Sequence, residues 1–239
     1  MSKLTERALV STLTATWRLV RSRRDPPWPG FGEPFNGQAE RRLVIHRLIA
    51  DLDPTVCIET GTFFGFTAKH LAQSGFPVYT IERDVGLYNV SRARFLFRPR
   101  VHVFNGDSAA VLPALAAEQT IHRPFVYLDA HWGEGLPLVT EIDTALGAWA
   151  DCVIVIDDFL VPHDPGYGYD TYDGQPLSID MICLPPGVTA AYPALPAAQE
   201  TGAKRGTLYL GQGRGADCVA AAVGAGHLRL ATADTDHTH

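Results

Sequence analysis

Apolar and polar residues along this chain switch between two periods, and the switches mark its elements. Leu4, Ala8, Leu9, Leu13, Trp17 and Val20 recur at helical spacing, which predicts one amphipathic helix over residues 3–24. Pro26, Pro27, Pro29, Gly30, Gly32 and Pro34 then crowd together and exclude regular structure. A second helix is predicted from about Ala39 to Leu52, with Leu43, Val44, Leu48 and Ile49 as its apolar face, and Asp53-Pro54 stops it. Beyond it come short apolar runs of strand length: Val56–Glu59, Pro77–Glu82, Val101–Asn105, Phe125–Asp129 and Cys152–Asp157. Helical patterns near 66–74, 84–97, 108–117 and 136–148 separate them. Strand–helix alternation of this kind predicts a mostly parallel sheet with helices on both faces.

The alternation breaks at residues 158–177, a stretch rich in Gly, Pro, Tyr and Asp. A loop of that length is usually functional or mobile. A short helix about 177–184, strands about 188–192 and 206–210, and a last helix near 216–224 complete the pattern. The expected organisation is a helical arm with a Pro/Gly-rich linker (1–34), one α/β domain with a seven-stranded sheet (35–228) and a disordered Asp/Thr/His-rich tail (229–239). The N-terminal helix is expected to serve as a packing arm or a homo-oligomer contact.

Composition narrows the function. The chain has 239 residues, enough for one full α/β domain and short for two. A formal net charge of −6 argues against nucleic-acid binding, which relies on clustered Lys and Arg. No apolar run approaches the roughly 20 residues that cross a bilayer, so no membrane partner is expected. The four cysteines have no metal-site spacing and read as buried apolar residues in a reducing, cytoplasmic setting.

The chemistry gathers at strand ends. Glu59, Glu82, Asp107, Asp129 and the pair Asp157-Asp158 each stand at or just beyond the carboxyl end of a predicted strand. Ligands of open α/β sheets bind outside those ends. Val56-Cys57-Ile58-Glu59-Thr60-Gly61-Thr62-Phe63-Phe64-Gly65 reads as strand, tight turn and helix start, with Gly61 and Gly65 permitting close backbone approach. An acid at the end of the second strand, Glu82, suits a ribose diol in either of two cofactor classes, NAD or S-adenosylmethionine. The three-glycine dinucleotide fingerprint is absent, and an acid just before the loop suits a sulfonium better than a pyrophosphate. The loop therefore favours S-adenosylmethionine.

Glu59-Thr60-Gly61-Thr62-x-x-Gly65 resembles motif I of class I S-adenosylmethionine-dependent methyltransferases, Tyr79-Thr80-Ile81-Glu82 their ribose-binding strand, and Asn105-Gly106-Asp107-Ser108 the motif flanking adenine. The resemblance implies the Rossmann-like fold of that class, with Glu59, Gly61, Thr62, Gly65, Glu82, Asp107, Ser108 and Asp129 around the cofactor. Leu128-Asp129-Ala130-His131-Trp132 and Val155-Ile156-Asp157-Asp158-Phe159 resemble the strand ends of metal-dependent O-methyltransferases of the catechol, caffeoyl-CoA and macrocin types. That resemblance implies Mg²⁺ held by Asp129, Asp157 and Asp158, and O-methylation of a small hydroxylated molecule such as a natural product or sugar. In the other reading, Asp157 bonds backbone and Asp158 caps a turn. His131 is the first candidate base and His163 the second; His131 is equally placed to support a neighbour or contact the cofactor. Phe35-Asn36-Gly37-Gln38 is expected to cover the site. The alternatives are a non-methylating, hydroxylase-like enzyme of the same fold and an NAD-binding oxidoreductase.

Overall fold

The structure of the protein is a computed structural model that describes residues 3–22, 27, 29–130 and 136–231. Ten strands and seven α-helices alternate along it. The parallel strands are β1 (Val56–Thr60), β2 (Val78–Glu82), β3 (Val101–Asn105), β4 (Pro124–Leu128) and β5 (Cys152–Asp157). A two-stranded hairpin, β6 (Thr171–Tyr172) and β7 (Gln175–Pro176), interrupts the long loop after β5. The strands β8 (Thr189–Pro193), β9 (Thr207–Gln212) and β10 (Leu228–Leu230) finish the main sheet. The helices are α1 (Lys3–Ser22), α2 (Ala39–Leu52), α3 (Phe66–Leu71), α4 (Val85–Arg94), α5 (Ser108–Ala116), α6 (Leu138–Ala148) and α7 (Arg214–Gly224).

The main sheet has eight strands in the order β10-β8-β9-β5-β4-β1-β2-β3, one more than the seven expected. The extra strand is β10, which pairs antiparallel with β8 through Leu228, Arg229 and Leu230. Its three residues straddle the expected domain end at 228, so the strand continues into what was assigned to the tail. Positions 232–239 lie outside the described residues. The helix expected at 177–184 is only a single 3-10 turn at Ile179–Met181. β9 runs antiparallel against β5, while β1 to β5 are parallel. Strand order reverses between β1 and β4, which makes their carboxyl ends the switch point of the sheet.

β1, β4 and β5 are buried along their whole length, the pattern of strands covered on both faces. Side chains alternate between two cores. Ile58, Val126, Ile154 and Ile156 pack with Leu112 of α5 and Leu138 and Ile142 of α6. Cys57, Phe125, Tyr127, Val153 and Val155 pack with Val44, Ile45 and Leu48 of α2 and Val219 of α7. The period of two then places Asp157 on the same face as Val153 and Val155, toward α2. That parity decides what Asp157 meets.

α1 packs on α4, where Gly86 leaves no room for a side chain beside Ser11. Its Leu9, Leu13, Trp17 and Val20 remain exposed. Among the described residues no helix is long and apolar enough to cross a membrane.

Gly215 lets α7 lie against β5, because a Cβ there would overlap the carbonyl oxygen of Cys152. Gly215→Ala should therefore cost about 1–3 kcal/mol by overpacking. Gly147 of α6 has nothing within 4 Å of the corresponding position, so Gly147→Ala should stabilise by about 0.5–1 kcal/mol. Urea denaturation of the two variants checks the opposite signs.

Candidate active site

A cleft opens at the β1/β4 switch point. Gly61 and Thr62 of the turn after β1 form one side, and Gly30 to Asn36 of the linker form the other. Gly61 has φ +79° and its Cβ would overlap the carbonyl oxygen of Asp129, so only glycine allows the two strand ends to come this close. Phe31 packs edge-on against Phe63, Phe64 and Phe66 at ring distances of 6.1, 6.3 and 5.7 Å and ties the linker to the turn. Phe35, Asn36, Phe63, Asp158 and Lys204 are non-glycine residues held at positive φ around this region. Such backbone strain persists only where the surroundings impose it, and it concentrates at functional sites.

The segment expected to cover the site does so as a fixed strap. Gln38 clamps the backbone of Arg205, accepting from its N–H at 2.6 Å and donating to its carbonyl at 3.0 Å. Glu200 accepts from the N–H groups of Glu40 and Arg41 at the start of α2. The Ala203 N–H donates to the Asn36 carbonyl, and Gly202 presses on Gly37 where a Cβ would not fit.

Asp157 is the most heavily bonded acid of the site. Its Oδ1 accepts from the Arg41 guanidinium and from the Asp158 N–H. Its Oδ2 accepts from Asn36 Nδ2 at 2.9 Å and from the Tyr127 hydroxyl at 2.6 Å. Arg41 also donates to the carbonyls of Arg205 and Gly206. Both ends of the Arg41–Asp157 pair are buried, at 2% and 1% side-chain exposure. The neighbouring acid Asp158 is paired with Arg205, which also holds Asp170.

Each acid expected at the cofactor has a defined place. The Glu59 carboxylate is buried and accepts from Thr80; burial, opposed by that bond, pushes it up to about 8. Glu82 accepts from the Phe63 and Asp84 N–H groups at 2.8 Å each, bracing the turn and the start of α4, and burial raises it above its ordinary value. Asp107 caps α5 by accepting from the Ala109 N–H, with Ser108 buried beside it. Thr62 lies against Thr80 at 2.5 Å, and Gly65 takes φ +71° at the start of α3. Asp129 lines the cleft; burial and the charges of Asp157, Asp158 and Glu59 hold its carboxyl well above the usual range. Asp158 is pushed up to about 7 by burial and by Asp157, against the opposing pull of Arg205.

The three carboxylates of the expected Mg²⁺ site do converge, but the donor set does not fit a divalent cation. A carboxylate offers about four lone-pair sites, and Asp157 has all of them taken by four donors. Mg²⁺ requires direct oxygen ligands at about 2.0–2.1 Å. Asp158 gives its Oδ1 to Arg205, and Asp129 is the member of the set whose carboxylate has no hydrogen-bond partner among the described residues. No group of three or more His, Cys, Asp or Glu among the described residues is arranged to hold a metal.

His163 is exposed and outside the cleft lining, next to Pro162, whose carbonyl holds Arg229 of the edge strand β10. His131 and Trp132 lie outside the described residues. Of the loop tyrosines, Tyr167 packs in the core with its hydroxyl on the Leu195 carbonyl, and Tyr169 is exposed. Tyr172 presents a buried hydroxyl without a hydrogen-bond partner and feels the charges of Asp170, Asp158 and Asp129. Glu141 of α6, which drew no attention in the sequence, is a buried acid beside Ser108 and Thr60, pushed up to about 7 by burial. Arg41 also escaped notice, although it falls in the apolar register of α2 with Val44, Ile45 and Leu48. A charge in that register was the available signal.

Comparison with solved structures agrees with this architecture. An O-methyltransferase from Bacillus cereus in complex with S-adenosylhomocysteine aligns with TM-score 0.56 and 18% identity over 85% of this chain and 91% of its own. The O-methyltransferase TomG from Streptomyces achromogenes, bound to S-adenosylmethionine, gives TM-score 0.53 and 19% identity over 73% and 81%. Cofactor-bound Rv0187 from MTB gives TM-score 0.54 and 19% identity over 89% and 90%. No protein-family model and no curated protein sequence matches the chain. The chain has the Rossmann-like fold of these class I methyltransferases.

Two outcomes are expected. Arg41→Met leaves Asp157 buried without its cation and should destabilise by about 3–5 kcal/mol, while Arg41→Met combined with Asp157→Asn should recover part of that loss in chemical denaturation. Glu59 holds its proton more tightly folded than unfolded, where its ordinary value is 4.5. Its stabilising contribution is complete below about pH 4.5 and is lost as pH rises through about 8. Glu59→Gln should flatten the fall in unfolding midpoint across that window.

Proposed function

We propose that this protein is an S-adenosylmethionine-dependent O-methyltransferase acting on a hydroxyl of a small molecule. One observation carries the reading: the switch-point cleft is lined by Glu33, Glu59, Asp129 and Asp157 and, among its described lining residues, by no lysine or arginine. A cationic sulfonium amino acid would draw Glu59 and Asp129, whose carboxyls burial holds above their ordinary values, into their charged forms, whereas a pyrophosphate meets no cation on this lining, which is why a dinucleotide oxidoreductase is the poorer fit. The phenyl rings of Phe31, Phe63 and Phe66 on the same cleft offer an apolar wall. In this reading Glu82 takes the ribose diol and Asp107 with Ser108 the adenine edge, the roles that the motif resemblance gives them.

Bound there, S-adenosylmethionine supplies an electrophilic methyl group. The chain's own part is to align the acceptor oxygen, exclude water and take up the hydroxyl proton. Asp129 is suited to accept that proton. Its carboxylate lines the cleft, has no hydrogen-bond partner among the described residues, and holds a proton more readily than an ordinary aspartate. Tyr172, on the hairpin of β6 and β7, feels the charges of Asp158 and Asp129. The four cysteines are free thiols, which supports a cytoplasmic setting.

Isothermal titration with S-adenosylhomocysteine, S-adenosylmethionine and NAD tests the reading. The two sulfur compounds should bind and NAD should not. Glu82→Ala should weaken S-adenosylhomocysteine by about tenfold or more, as loss of a charge-assisted hydrogen-bond acceptor does. Binding of NAD alone would overturn the proposal.

A further inference from the structure

The strand ends that were expected to hold a divalent cation hold two guanidinium groups instead. Arg41 reaches Asp157 from α2, and Arg205 reaches Asp158 and Asp170 from the segment before β9. The two cations differ in setting. Arg41 is enclosed, with further bonds to the Arg205 and Gly206 carbonyls. Arg205 is 26% exposed and spans two carboxylates at the mouth of the loop that carries Tyr172.

We propose that Arg41 and Arg205 do the electrostatic work of a metal ion at this site, so that the protein operates without a divalent cation. Arg41 is a positioning residue: it neutralises Asp157 permanently, and Asp157 in turn holds Asn36 and Tyr127. Arg205 is a positioning residue as well: it neutralises Asp158, whose charge Asp129 feels, and ties it to Asp170 on the loop. Guanidinium is suited to both roles, because it stays charged under all working conditions and meets carboxylates through a rigid fork of donors. A divalent ion placed among these acids would have to displace at least one arginine and then sit beside the other. The proposal rests on the methyltransferase reading for its catalytic meaning, but the cation question is answered by binding alone.

The test is Mn²⁺ binding to the full chain after EDTA treatment, followed by electron paramagnetic resonance, with and without S-adenosylhomocysteine. Wild type should show no stoichiometric site. Arg205→Ala frees Asp158 next to the unpartnered Asp129 and should gain a Mn²⁺ site at least about tenfold tighter than any residual wild-type binding, since hard carboxylate oxygens are then available. Adding Asp158→Asn to Arg205→Ala should abolish the gain. Arg205→Gln, which keeps most of the packing, repeats the experiment if the alanine variant unfolds. A single tight Mn²⁺ site in wild type that disappears in Asp158→Asn would overturn the proposal, as would a folded Arg205 variant that binds Mn²⁺ no better than wild type. Absence of S-adenosylhomocysteine binding would count against the methyltransferase reading and leave the Mn²⁺ result to decide the arginine assignment.

Discussion

The ion pair between Arg41 and Asp157 is the constraint on which the site depends. Burying two charges costs several kcal/mol per ion, and the cost is offset only when every polar atom around them is paired in good geometry. Here Asp157 is surrounded by four donors from the linker, α2, β4 and its own next residue. Arg41 also donates to two carbonyls just before β9, and only its Nε, among its buried donors, has no hydrogen-bond partner among the described residues. One pair thus locks the linker, α2, β4, β5 and the approach to β9 together at the end of the sheet. A buried pair of this kind is weak evidence for net stability, but removing one member is severe, and so the register of these parts is tightly specified.

From that lock follow the shape and the charge of the cleft. The linker cannot lift without breaking the Asn36 bond to Asp157 and the Gln38 clamp on Arg205, so the cleft roof is a structural element. The acids left over, Glu59 and Asp129, face the cavity and are held above their ordinary proton affinities by burial and by neighbouring acids. A cationic ligand would relieve both at once. Strained backbone at Phe35, Asn36, Phe63 and Asp158 rings the same space. The conformational cost is concentrated where the ligand is proposed to sit.

Much of the fold was legible because its signals are local. Buried parallel strands such as Cys152–Asp157 announce themselves as apolar runs, and Gly61 marks the turn that follows β1. β10 was missed because Leu228–Leu230 is short, and only its pairing with β8 makes it a strand. At the site, the positions of Glu59, Glu82, Asp107 and Asp129 were readable from strand ends. The partners of the acids were not. Whether Asp157 faces a metal or an arginine depends on strand parity and on what α2 carries across 116 positions of sequence, and no local pattern reports that. The arginine in the apolar register of α2 was the one trace of it.

The most direct measurement is a crystal structure of the full chain grown with S-adenosylhomocysteine. The cofactor product should lie in the β1/β4 cleft with its ribose hydroxyls on Glu82 and its amino-acid end near Glu59, and the Arg41–Asp157 pair should be intact beneath it. A cleft left empty at saturating ligand, or a ligand seated with Arg41 swung away and a metal ion on Asp157, would contradict this picture of the site.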